Sequence, residues 1–67
     1  MEDTPEGIAL AELERGMAGS PTLVAKTLKI SLALATARKL YDDEEISDGG
    51  FQWLVEQIGK KLQVAAQ

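Results

Sequence analysis

The chain has 67 residues, eleven acidic and seven basic side chains for a net charge of −4, and neither Cys nor His. That length holds one domain at most, burying only about 60% of the surface its unfolded form exposes. The composition excludes disulfides, the commonest transition-metal ligands and nucleophilic catalysis by Cys or a Ser-His-Asp set, and its acidic balance argues against nucleic acid as a default partner.

Met1 to Asp3 are expected to fray. Thr4 reads as an N-cap with Pro5 at the first helical position and Glu6 in the first turn, opening a helix over residues 5–18. Ala9, Leu10, Leu13, Gly16 and Met17 gather on one side of it. Gly7 weakens its start by up to about 1 kcal/mol relative to Ala.

Gly16 and Gly19 mark a break, after which Ser20 as N-cap and Pro21 at the first position open a central helix over residues 21–42. The rest of the chain is organised around it. Leu23, Ile30, Leu34, Ala37 and Tyr41 fall on one line of this helix. Val24, Leu28, Leu32 and Ala35, with Ala25 at the margin, fall on a second line centred roughly 120–140° away, while Leu40 belongs to neither. A helix apolar on two faces must be covered from two sides, by its flanking helices or by a second copy. Residues 28–35, LKISLALA, also alternate partly as a strand would, but the capped start and the alanines favour helix. Asp42, Asp43, Glu44 and Glu45 place four carboxylates at the negative end of the macrodipole, so the helix should finish near residues 41–43.

The acidic turn invites a calcium test. An EF-hand frame from Glu45 to Glu56 puts Ser47 and Gly49 at its third and fifth positions, too few carboxylates for the cation, and no metal site is expected. Ser47 then reads as the next N-cap, with Asp48 as the alternative, and Ile46 and Phe51 stand at the spacing of a hydrophobic staple. The last helix, over residues 48–64, aligns Phe51, Leu54, Val55, Ile58, Leu62 and Ala65 in one stripe. Trp53 lies off that stripe with Lys60 and Val64. It either covers a loop or the end of the first helix, or serves as a contact residue of the kind enriched at binding hot spots.

Charge is segregated along the chain: residues 1–19 carry −4, residues 20–41 carry +4 with no acid, residues 42–50 carry −5 and residues 51–67 carry +1. Glu12 and Glu14 are therefore expected to face Lys26 and Lys29. No apolar run reaches the roughly 18 residues of a membrane span, and the acidic start MEDTPEG lacks the features of a signal peptide. With no Cys, a cytoplasmic location is expected.

The segment VAKTLKISLALATARKL resembles a helix-turn-helix, with Ala25 at the small position of its first helix and Ile30-Ser31 where a turn would open the second. It covers under a third of the chain. It departs from the pattern at Lys29, where the turn glycine is usual, and at Arg38, where the second helix should be apolar. SLALATARKL would offer a groove mostly Leu and Ala, so the segment is read as one continuous helix.

The expectation is a single small all-α domain: a three-helix bundle with a two-faced central helix, pairing as a homodimer through Leu28, Leu32 and Ala35. The expected function is a small cytosolic protein–protein interaction module, an adaptor, inhibitor or regulator that occupies a partner's surface. No catalytic residue or cofactor is expected. Trp53, Gln57 and Lys60, with Tyr41 and Arg38, form the expected contact surface for another protein. The alternatives are a DNA-binding helix-turn-helix dimer using Lys26, Lys29, Arg38 and Lys39, and a structural subunit completed by a different protein.

Overall fold

The computed structural model describes residues 4–66, so the expected fraying of Met1 to Asp3 lies outside it. Three helices, α1 (Pro5–Ala18), α2 (Leu23–Asp42) and α3 (Asp48–Ala66), pack as an all-α bundle in which every pair is in contact. The bundle measures 33 × 18 × 16 Å. Its short connections, residues 19–22 and 43–47, make α2 antiparallel to both neighbours.

Each helix starts on a side-chain cap. Thr4 Oγ1 accepts the Gly7 N–H at 3.0 Å, Thr22 Oγ1 accepts the Ala25 N–H at 3.1 Å, and Ser47 Oγ accepts the Gly50 N–H at 3.1 Å. The central cap is therefore Thr22 and not Ser20. Ser20 is buried, and its hydroxyl donates to the Gly16 carbonyl at 2.7 Å, satisfying an acceptor that the end of α1 leaves open. Held there, Ser20 closes α1, and the chain turns through Pro21 before α2 begins.

The end of α2 is a Schellman motif. Glu44 N–H donates to the Tyr41 carbonyl at 3.0 Å and Glu45 N–H to the Leu40 carbonyl at 2.9 Å. The geometry requires a left-handed residue at position 44, where φ is 60°, and the sequence supplies Glu in place of the usual Gly.

Ala9, Leu13, Ile30, Ala33, Ala37, Ile46, Leu54 and Ile58 form the core, with Leu10, Met17, Leu40, Tyr41, Phe51 and Val55 packed around it. In α2 the buried line is Ile30–Ala33–Ala37, extended by half-buried Leu40, whereas Leu23 and Leu34 of the expected line are exposed. The burial is turned by roughly 50° around the axis from that line. Small side chains explain the turn: Ala33 and Ala37 let α1 and α3 approach closely, where a row of leucines would hold them apart. In α3, Leu54 and Ile58 are fully buried, while Leu62, placed in the stripe by its spacing, is exposed near the open end of the bundle.

Glycine permits two close approaches. The stem of Lys29 lies against Gly16, where an added Cβ would sit 3.2 Å from its Cδ. At Gly50 a Cβ would collide with Glu6 Oε2, so the glycine admits the Glu6 carboxylate over the first turn of α3, where a negative charge is favoured.

Candidate functional site

The flanking helices do not sandwich α2. They occupy adjacent sectors of one side, and the second apolar line is left on the opposite side in solvent. Val24 is 71% exposed, Leu28 61% and Leu32 62%, and Ala35 and Ser31 are exposed between and beside them. Leaving three large aliphatic side chains in water along one helix forgoes about 1–2 kcal/mol for each that a partner would cover. Leu28, Leu32 and Ala35, the residues expected to mediate self-association, thus lie on one continuous face uncovered by the chain's own helices.

The other expected contact residues divide between two edges. Trp53, 43% exposed, lies in a groove with Thr4, Glu6, Gly7 and Gly50, covering the start of α1 and not its end, because α3 begins beside the first turn of α1. Gln57 follows it one turn on, half-buried, and Lys60 pairs with Glu56 at 3.9 Å. Tyr41 and Arg38 lie on the other flank of α3, in a groove with Asp48, Phe51 and Gln52. Some 160° of the α3 circumference separates Trp53 from Phe51, so the five residues do not form one patch. The spacing rule that placed Trp53 off the core stripe could not show on which side of α3 the central helix would lie.

Tyr41 stacks on Phe51 with ring centroids 4.7 Å apart and an interplanar angle of 29°. A hydrogen bond to the Asp48 carboxylate, and then its negative charge, raise the Tyr41 phenol above its ordinary pKa, with Arg38 opposing the shift.

Ion pairs use part of the basic character of α2. Arg38 Nε lies 3.2 Å from both Asp42 carboxylate oxygens, and Lys39 Nζ lies 3.7 Å from Asp43 Oδ2. Glu12 shares a groove with Lys29 and Glu14 shares one with Lys26, so these charges face one another as expected, but among the described residues no ion pair closes between them. Glu14 instead reaches Lys61 of α3 at 3.7 Å, and the Lys29 stem is laid along Gly16. These pairs are exposed and each contributes under about 1 kcal/mol, but their arrangement gives the bundle two unlike ends.

Among the described residues, the half that contains the end of α2 and the starts of α1 and α3 holds seven carboxylates against two cations, a net of −5. The other half holds Arg15, Lys26, Lys29, Lys60 and Lys61 against Glu12 and Glu14, a net of +3.

The grooves between the helices are open to solvent, and no cluster of three or more acidic side chains among the described residues is arranged to hold a metal ion. No described helix is long and apolar enough to cross a membrane. The helix-turn-helix resemblance has no structural counterpart, because α2 runs unbroken through Ile30-Ser31. No known protein family matches the chain, and no curated protein or solved structure is significantly similar to it.

Proposed function

We propose that the chain is a small protein–protein interaction module that acts by occupying a protein surface through the outer face of α2. The carrying observation is the exposure of Val24, Leu28 and Leu32 directly opposite the core. A core built from eight small and medium side chains gains little from leaving such residues in water, whereas an interface gains their burial. Charged side chains are absent from the middle of this face, the pattern of an interface centre with polar residues at its rim. The groove at Trp53 is a second contact surface, because a half-exposed Trp beside a neighbouring helix offers a partner a large, rigid apolar area. Cytoplasmic location and a regulatory or inhibitory role belong to the same reading.

The test is the double variant Leu28→Glu/Leu32→Glu. Both side chains are exposed, so circular dichroism should show retained helix. Self-association by sedimentation and capture of proteins from the native host through the outer face of α2 should be lost, while a protein held at the Trp53 groove should be released only by Trp53→Ala. A variant that keeps its helix and all of the parent's associations refutes the reading. DNA binding is tested separately by gel shift at low and moderate salt: a groove reader would bind and weaken steeply with salt, and no shift is expected here.

A further inference from the structure

We infer that the occupant of the outer face of α2 is a second copy of this chain, packed antiparallel about a two-fold axis that passes between residues 29 and 30. The inference rests on the reading of that face as a contact surface, and two independent features select the occupant and its direction.

The first is the order of side-chain sizes along the face. Val24, Leu28, Ser31 and Ala35 follow one another at spacings of four, three and four, the seam of a helix pair. Its first half is large and its second half is small. Antiparallel pairing with facing positions summing to 59 sets Val24 against Ala35 of the partner copy and Leu28 against Ser31 of the partner copy, large against small at each layer. Leu32 flanks the seam and closes over Leu28 of the partner copy. Parallel pairing would oppose Leu28 to itself and Ala35 to itself, crowding one end and leaving a gap at the other.

The second feature is charge. Laid side by side in opposite directions, each −5 half of the bundle meets the +3 half of its partner, and the apolar seam itself carries no charge. Asp42 and the carboxylates after it then reach past the start of the partner copy's α2, which has no acid in its first turn to answer the positive end of its macrodipole. A parallel pair would bring −5 against −5. Symmetry makes the interface isologous, so each favourable contact occurs twice.

The absence of native Cys makes the arrangement directly testable. Val24→Cys and Ala35→Cys are made separately on the full chain, given distinguishable tags, mixed and oxidised mildly. Antiparallel pairing yields the mixed 24–35 disulfide as the main product, because two copies of position 24 lie about 16 Å apart along the axis. Sedimentation of the unmodified chain should show dimer, and Leu28→Glu, which removes two buried leucines from a symmetric interface, should weaken it by about 100-fold or more. Disulfides joining 24 to 24 or 35 to 35 overturn the direction. A dimer that forms no 24–35 disulfide overturns the register, and a chain that sediments as a monomer at all concentrations overturns the second copy as occupant. In that last case the interaction reading still stands or falls on whether Leu28→Glu/Leu32→Glu loses a captured protein partner.

Discussion

Glu44 is the one non-glycine residue with a positive φ among the described residues, and replacing it with Gly should stabilise the chain. A left-handed conformation costs a residue with a Cβ about 1–2 kcal/mol. Glu44→Gly removes that cost and gives back up to about 1 kcal/mol through the greater freedom of glycine in the unfolded chain. It also removes a carboxylate from the negative end of the α2 macrodipole, about 0.3 kcal/mol at an exposed position. The net expectation is about 1 kcal/mol of added stability, a rise in Tm of roughly 4–8 °C for a domain of this size. Thermal and urea unfolding followed at 222 nm at a fixed chain concentration would measure it. Two companions separate the causes: Glu44→Gln should recover only the charge contribution, and Glu45→Gly, which relieves no left-handed angle, should gain nothing or lose stability. If Glu44→Gly leaves stability unchanged or lowers it, or if Glu45→Gly stabilises equally, the Schellman account of this turn is wrong.

Two further expectations bear on the core and on the α2–α3 junction. Leu54 is fully buried and Leu62 is 41% exposed, so Leu54→Ala should cost about 3 kcal/mol or more and Leu62→Ala under about 1 kcal/mol, compared by urea unfolding. Against the roughly 3–10 kcal/mol expected for the whole domain, the first variant should lie near its unfolding threshold. The single Tyr should titrate above the ordinary phenol value of about 10, with Asp48→Asn lowering its pKa when ionisation is followed by ultraviolet absorbance. Because the folded-state pKa is raised, the contribution of Tyr41 to stability is intact below pH 10 and is lost as pH rises from there through the folded value. Equal titration in the parent and in Asp48→Asn would remove Asp48 as the cause.

The outline of the fold was legible in local chemistry. Thr4 with Pro5, Ser47 before α3, and the carboxylates after Tyr41 are short-range signals whose effects act within a turn of the residues that carry them, and the structure reads them as the sequence does. Where two local signals competed, the structure had to choose between them. Ser20 and Thr22 both flank Pro21 and both can cap, and a tertiary fact, the burial of Ser20 beside the open carbonyls of α1, gave the cap to Thr22.

The candidate site was legible in kind but not in place. The spacing of Val24, Leu28, Leu32 and Ala35 announced a second apolar face, yet periodicity alone is silent on which face a neighbour covers. That was settled by how closely α1 and α3 can approach, which the small side chains of Ala33 and Ala37 decide. Trp53, off its core stripe, and Tyr41, at the end of the central helix, were assigned to one surface, and the direction in which α3 meets α2 puts them on opposite flanks. The sequence by itself therefore determined three helices, their approximate ends and the surplus of apolar surface on the second. Only the tertiary structure decided that the surplus faces water and that unlike charges collect at opposite ends, because both depend on side chains brought together from distant points of the chain.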